Sequence, residues 1–188
     1  MQEDKNSKVS LDIDLLVERA IDGNADAFGR LYDMHVVRVY RHMYYRVSNV
    51  ADAEDLTQQV FLRAWQAIHR YKKTTSPFLA WLIKISHNLV IDFYRSNKAR
   101  TYLDFDVVAS EPGSDPKYLA EASFDQQQIR WAIRELPGEQ QQVVLMRFIE
   151  GFSHSETAAS LGKSEGAVRV ILHRALVRLR KILEKVKQ

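Results

Sequence analysis

The stretch FSHSETAASLGKSEGAVRVILHRAL, residues 152–176, has the spacing of a helix-turn-helix. Ser153 and Glu156 form the S-x-x-E capping box that opens a helix. Ala158 is small where two helices must approach closely. Gly162 follows four residues later, where a glycine can adopt the positive φ that ends a helix. Ser164 can then cap a second helix. The stretch therefore predicts two helices joined by a tight turn.

The second helix of this motif is apolar on one side and polar on the others. Val168, Ile171 and Leu172 recur at spacings of three and four, which places them on one face. The other faces carry Arg169, His173, Arg174 and Arg178. Such a helix can rest on its partner while it enters a DNA major groove. An ordinary helical hairpin with a solvated basic face is the alternative. We favour DNA binding, because the cap, the small residue, the turn glycine and the apolar stripe fall in register.

The composition restricts the class of protein. The chain has 188 residues, of which 46% are hydrophobic, and only 7 Gly and 4 Pro, so an all-α architecture is favoured over a β-rich one. It has no cysteine, which excludes disulfides, Cys-ligated zinc and thiol catalysis and fits a reducing cytoplasm. No apolar run has the length of a membrane span, and the polar start lacks a signal-peptide core. These features predict a cytoplasmic protein.

Charge is unevenly distributed along the chain. The formal net charge is +3, but the 29 residues 97–125 are net acidic, whereas the segment from 126 to the end is strongly basic. The basic end coincides with the helix-turn-helix, as expected if contacts with phosphates supply much of the affinity. The acidic middle would repel DNA and is not expected to lie along the duplex.

Hydrophobic periodicity and breaker residues divide the chain into four parts. We predict a disordered start over residues 1–10, a helical domain over 11–96, a flexible linker over 97–124 and a second helical domain over 125–188. Within them, Asp52 is expected to cap a helix. A helix over 139–149 is expected to turn Val143, Val144 and Phe148 inward.

An acidic and amide-rich cluster opens the helix that follows Asn49. It comprises Asp52, Glu54, Asp55, Gln58 and Gln59, beside Phe61 and Trp65. These side chains would suit a docking surface for a basic helical partner. The alternative is a solvated face whose acids complement the helix dipole, and the residues taken alone slightly favour this alternative.

Aromatic and basic residues alternate in the segment from Tyr71 to Leu89. Single-stranded DNA binding needs this mixture, because bases stack on aromatic faces and phosphates meet cations. The alternative is that Phe78 and Trp81 belong to the core. For Phe78 the two interpretations stay open, since it shares a stripe with Leu82 and Ile85.

No catalytic or metal-binding pattern is present. The six histidines are scattered, and no H-E-x-x-H, phosphate-binding glycine loop or G-x-S-x-G occurs. We expect His35 and His42 to lie on a helix surface or boundary. The sequence therefore predicts no catalytic residue, no metal site and no cofactor.

Two blocks of the chain together resemble the extracytoplasmic-function (ECF) group of bacterial sigma factors, in the sigma-70 family. The first block, within residues 24–96, resembles sigma region 2 through 52–65 (DAEDLTQQVFLRAW) and 78–95 (FLAWLIKISHNLVIDFYR). The second, within 125–183, resembles region 4 through Leu136-Pro137, 141–148 (QQVVLMRF) and the helix-turn-helix. Their order across a short linker, with no room for a region 3 domain, points to the ECF group.

The resemblance implies a sigma factor that binds core RNA polymerase and directs it to promoters. Region 2 would contact the β′ clamp helices and open the minus-ten element, and region 4 would read the minus-thirty-five element and sit on the β flap. The linker would thread toward the polymerase active-site cleft. An anti-sigma partner stays an open question.

The resemblance also assigns residues by their position. Those facing β′ would be Asp52, Glu54, Asp55, Gln58 and Phe61. Those near the minus-ten strand would be Lys72, Lys73, Trp81, Lys84, His87 and Asn88. Those approaching the minus-thirty-five duplex would be Lys163, Ser164, Glu165, Arg169, His173 and Arg174.

The chain departs from the family pattern at two places. Val170 and Ile171 follow Arg169 where the family often has an Arg or Lys, which removes one phosphate contact. His87-Asn88 stands where the family has an Arg-Asn pair, so a phosphate contact there is weaker or sensitive to pH.

Two other functions compete with this one. A helix-turn-helix regulator could bind operator DNA as a dimer, although it leaves the acidic cluster, the aromatic-basic segment and the linker unexplained. A helical adaptor without DNA contact leaves the charge asymmetry unexplained. A mobility-shift assay distinguishes the dimeric regulator from the sigma factor. A dimeric regulator binds a duplex operator on its own, whereas a sigma factor binds promoter DNA well only with core polymerase.

Overall fold

Helices form both halves of the chain, and the halves pack against each other. A computed structural model describes residues 2–47, 49–73, 76–97 and 126–186, and no strand occurs in these ranges. The N-terminal bundle consists of α1 (Gln2–Ile21), α2 (Ala25–Val47), α3 (Val50–Ala67), a 3-10 turn (Ile68–Arg70) and α4 (Phe78–Asn97). The C-terminal bundle consists of α5 (126–134), α6 (Gly138–Phe148), α7 (His154–Leu161) and α8 (Glu165–Val186). The predicted all-α architecture is confirmed.

Helix α2 is the centre of the N-terminal bundle. Leu31, Val39 and Met43 recur along one side of it and are fully buried. They pack in one cluster with Val60 of α3 and Leu82 of α4. A stripe of large apolar residues at helical spacing is buried in this way because it removes the most apolar surface from water.

Two helix starts differ from those predicted. Helix α3 is capped by Asn49, whose side-chain oxygen accepts a hydrogen bond of 2.9 Å from the backbone N–H of Asp52. The prediction of Asp52 as the cap was therefore wrong, because the extended backbone that a cap needs lies three residues earlier. Helix α1 begins at Gln2, although the polar composition predicted disorder over residues 1–10.

The C-terminal bundle has two small cores, one of which lies within the helix-turn-helix. Val144, Leu145 and Ala175 belong to the first core, and Val143 and Val168 to the second.

One side chain of α6, predicted to face the core, faces solvent instead. Phe148 was expected to face inward, and it is 60% exposed. The expectation assumed one buried face, but α6 buries Leu145 and Met146 as well as Val143 and Val144. This happens because α6 lies between α8 and the N-terminal bundle.

The sequence did not predict the contact between the two bundles. Met146 and Phe152 of the C-terminal bundle are buried in the core cluster of the N-terminal one, and Leu161 packs against it. The predicted linker, 97–124, lies outside the described residues except for Asn97. The two bundles are therefore held together in this structure by direct packing.

Candidate nucleic-acid and protein interfaces

The helix-turn-helix has the geometry that its sequence predicts. The backbone N–H of Ser153 donates to the Glu156 carboxylate at 2.7 Å, and the N–H of Glu156 donates to the Ser153 hydroxyl at 3.1 Å. This is a complete capping box at the start of α7. Gly162 ends α7 with φ at 63°, a left-handed conformation that favours glycine. The turn then positions α8 against α7.

Helix α8 begins as predicted and buries the predicted face. The Ser164 hydroxyl accepts a 3.2 Å hydrogen bond from the N–H of Ala167, which caps the helix. Val168 is fully buried against Ala158 and Val143. The side chains on the outward faces are therefore free to meet a partner.

All six residues predicted to approach duplex DNA are exposed. They are Lys163, Ser164, Glu165, Arg169, His173 and Arg174. Two of them are held by acids in the same bundle: Lys163 pairs with Glu139 at 2.6 Å, and Arg169 with Glu165 at 3.3 Å. Surface pairs of this kind are weak, so phosphates can replace these carboxylates at little cost.

A longer basic surface continues along α8 beyond the predicted residues. Arg174, Arg178, Lys181 and Lys185 line one open groove with His173 and Gln140. The cations recur at spacings of four, three and four, so they share one side of the helix. Lys181 and Lys185 were missed as site residues, although this spacing in the sequence would have revealed them.

The acidic cluster of α3 lies mostly on the surface. Glu54, Asp55 and Gln58 are exposed and Asp52 is partly buried. Partial burial, with a smaller effect from the Asp55 charge, raises the pKa of Asp52. These four residues can present negative and amide groups to a partner.

Phe61 does not share that surface. Its side chain is 5% exposed and packs edge-on against Tyr32 of α2, with ring centroids 4.6 Å apart. We therefore withdraw Phe61 as a direct contact, because a buried ring cannot reach a partner. The sequence missed the neighbouring groove between α2 and α3, where Tyr32, Val37 and Tyr40 lie beside Glu54 and Gln58.

The aromatic-basic segment forms a cluster of rings at the start of α4. Phe78 is 4% exposed, so it belongs to the core and is not available to stack on a base. Trp81 is half-buried and contacts Tyr71 and Phe78 at centroid distances of 5.0 and 5.5 Å. Part of the Trp81 ring therefore remains accessible beside the buried cluster.

Among the polar residues predicted near the minus-ten strand, only His87 is largely covered. Lys72, Lys73, Lys84 and Asn88 are exposed, and Lys73 pairs with Asp14 at 2.8 Å. His87 is half-buried, and burial, followed by the charges of Arg46 and His42, lowers its pKa. Its side chain thus lies near Arg46 and His42 of α2.

Buried polar side chains join the two bundles. Nδ1 of His42, on α2, lies 2.8 Å from Oε1 of Glu150, which follows α6, and both side chains are fully buried. His35 is also buried. The prediction of a surface or boundary position for His35 and His42 was wrong, because α2 is covered on more sides than an outer helix of a bundle.

The described residues contain no group of three or more His, Cys, Asp or Glu side chains that could hold a metal ion. No helix in the described ranges is long and apolar enough to cross a membrane.

Comparison with known families assigns both bundles. The model of Sigma-70 region 2 matches residues 31–100, and the model of Sigma-70 region 4 matches residues 126–179. The chain is 30% identical over 170 residues to the ECF RNA polymerase sigma factor SigL of Mycobacterium tuberculosis, with 90% of this chain and 96% of SigL covered. The chain belongs to the ECF sigma factors. It binds core RNA polymerase and directs promoter-specific initiation of transcription, and the resemblance seen in the sequence is confirmed.

Two further relatives agree with this assignment. The ECF RNA polymerase sigma factor BldN of Streptomyces coelicolor is 41% identical over 170 residues, which cover 89% of this sigma factor, and the chain spans 64% of the length of BldN. Among solved structures, CnrH in complex with the cytosolic domain of CnrY is 27% identical, with a TM-score of 0.70 over 91% of this chain and 96% of CnrH.

Proposed function

We propose that the two bundles divide promoter recognition between them, with the C-terminal bundle reading the minus-thirty-five duplex through the start of α8. The supporting observation is the arrangement of that helix: Val168 is buried while Arg169 and His173 are exposed. A helix held in this way can enter a major groove and bring its first turns to the base edges. The basic groove that continues to Lys185 would then run along phosphates.

The N-terminal bundle would bind core polymerase through α3. Asp55 and Gln58 are exposed on α3, and Gln58 lines the groove that also contains Tyr40 and Val37. Apolar contact in such a groove, surrounded by acidic and amide groups, fits a basic helical partner such as the β′ clamp helices.

The same bundle would hold the opened minus-ten strand at the start of α4. The accessible part of Trp81 offers a stacking surface, and Lys72 and Lys84 offer charge to the backbone. In this role the protein holds bases that have left the duplex, and the polymerase supplies the chemistry. We therefore propose a transcription factor without an enzymatic activity of its own, which works in the cytoplasm where polymerase and chromosome meet.

We also propose control by a protein partner of the anti-sigma class. CnrH, which shares the fold over nearly the whole chain, was solved in complex with the cytosolic domain of CnrY. Exposed apolar side chains on both bundles, Leu62 and Phe148 among them, could contribute to such a contact.

Binding to core polymerase tests the proposed polymerase surface. Asp55→Ala with Gln58→Ala should weaken core binding by at least tenfold and leave helicity unchanged. Asp26→Ala with Gln66→Ala removes the same groups from exposed positions elsewhere in the bundle and is the matched control. If the first pair competes for core as well as wild type, this surface is misassigned. Tight binding of operator-like duplex by the free chain would instead favour the dimeric regulator.

A further inference from the structure

The contact between the bundles is centred on one buried histidine–carboxylate pair. His42 belongs to region 2 and Glu150 to region 4, they are separated by 108 residues in sequence, and neither side chain is exposed. The Arg38 guanidinium donates to the backbone carbonyl of Glu150 and lies over the Phe152 ring, 5.9 Å from its centroid. The pair is therefore part of a wider polar contact that only a folded region 4 can complete.

A second contact lies beside the first. The Arg130 guanidinium of α5 lies over the Tyr44 ring of α2, 4.7 Å from its centroid. Cation–π pairs of this kind add attraction between surfaces that otherwise stay polar. The two regions thus meet through Arg38, Arg130 and the His42–Glu150 pair, in addition to apolar packing by Met146.

The composition of this contact suits one that opens. Within the described structure, Oε2 of Glu150, Nε2 of His42 and two nitrogens of Arg46 are buried without a hydrogen-bond partner. Such groups are costly in the interior and recover their partners in water. Apolar residues of similar volume often hold a buried contact more tightly than an ion pair does. The His42–Glu150 pair therefore makes the docked arrangement specific without making it permanent.

Promoter geometry requires the two regions to separate. Elements centred near minus ten and minus thirty-five are about 25 base pairs apart, roughly 85 Å along B-DNA at about 3.4 Å per pair. A compact chain of this length has a radius of gyration of about 16 Å and a diameter of about 40 Å. The docked form cannot reach both elements.

We infer that the His42–Glu150 pair, with Arg38, is an autoinhibitory lock that holds region 4 on region 2 in the free sigma factor and is released when core polymerase binds. This inference rests on the proposed roles of the two regions at the promoter. Only open molecules bind core, so the apparent affinity for core is the intrinsic affinity multiplied by the open fraction. The lock lowers that affinity because it makes the open fraction small. Substitutions that open it should raise that affinity, and substitutions that strengthen it should lower it.

Single-molecule energy transfer between two labels measures the closed fraction directly. The natural chain has no cysteine, so Gln66→Cys on α3 and Lys181→Cys on α8 give two unique labelling sites, both exposed. The free protein should show one dominant high-transfer population. Addition of core polymerase should convert it to a low-transfer population.

Three variants test the lock itself. Glu150→Gln should lower the closed-to-open ratio at least tenfold and raise the affinity for core. Arg38→Met should act in the same direction from the region 2 side, which covers the case in which Glu150→Gln fails to fold. His42→Leu with Glu150→Leu should keep the protein closed and weaken core binding. Glu139→Gln is the matched control, because it removes a region 4 carboxylate from an exposed pair and should leave the closed fraction unchanged.

The outcomes separate the lock from the proposed function. A free protein that is mainly open, or a closed fraction that Glu150→Gln and Arg38→Met leave unchanged, overturns the lock. A closed fraction that shifts without any change in core affinity overturns its autoinhibitory role. Failure of the wild-type protein to bind core at all would instead contradict the assignment of function, whatever the labels report.

Discussion

The buried histidine at the centre of α2 should make the stability of the N-terminal bundle depend on pH. His35 is 5% exposed, its ring packs against Phe78, and neither of its nitrogens has a hydrogen-bond partner in the described structure. Burial, and secondarily the charge of Arg38, lowers the pKa of His35 to about 4 from an ordinary 6.5. The folded state therefore favours the neutral ring.

The sign and size of the effect follow from this shift. Because the folded pKa is lowered, the contribution to stability is fully present above pH 6.5 and is lost as the pH falls toward 4. The whole loss is about 3 kcal/mol, and about 2 kcal/mol of it occurs by pH 5. His35→Leu removes the titration and fills the same apolar site. Its free energy of unfolding should therefore fall about 2 kcal/mol less than that of wild type between pH 7.5 and 5.

Urea unfolding followed by tryptophan fluorescence measures this difference. A Trp131→Phe background leaves Trp65 and Trp81, so the signal reports on the N-terminal bundle alone. His35→Gln is a second variant: it also cannot titrate, but it buries an amide and should be less stable than His35→Leu at pH 7.5. Equal pH slopes for wild type and both variants would refute the reasoning.

Three further predictions concern the helix-turn-helix and the promoter. Ser153→Ala should destabilise the C-terminal bundle by about 1 kcal/mol in thermal unfolding, because it removes the cap of α7, whereas Ser155→Ala at an exposed position should have little effect. If Arg169 contacts a base edge, Arg169→Ala should weaken promoter binding by about 1–3 kcal/mol, and the loss should vary with promoter sequence. An equal loss for all sequences, with a smaller dependence of binding on salt, would indicate that Arg169 contacts a phosphate. Unchanged binding would show that Arg169 does not face the DNA. Lys72→Ala with Lys73→Ala should impair open-complex formation more than recruitment, and a template mismatched across the minus-ten element should restore initiation; equal failure on both templates would contradict this role.

The helix-turn-helix could be predicted in detail because local signals determine it. The capping box, Gly162 and the stripe that begins at Val168 each act within a few residues, and each was found in the structure where it was expected. The exposed polar residues of α8 followed from the same periodicity. The prediction that Phe61 contacts a partner was wrong, because its acidic neighbours suggested a surface position. Its place on α3 turns the ring toward Tyr32.

The contact between the bundles could not be predicted from local pattern. Periodicity could have placed His42 with Leu31, Val39 and Met43 on the buried side of α2, but polar residue types argued against it. Nothing near Glu150 indicates a partner 108 residues away. The prediction that Phe148 faces inward was wrong for the same reason, since the extra buried face of α6 is created by the other bundle.

Transcription from a cognate promoter with purified core polymerase tests the central claim most directly. Core alone should give no specific transcript, and addition of the protein should give one transcript with a defined start. Deleting either promoter element should reduce the transcript strongly, because each region is assigned one element. A protein that leaves core without specificity, or that represses transcription by binding the duplex without polymerase, would contradict the account.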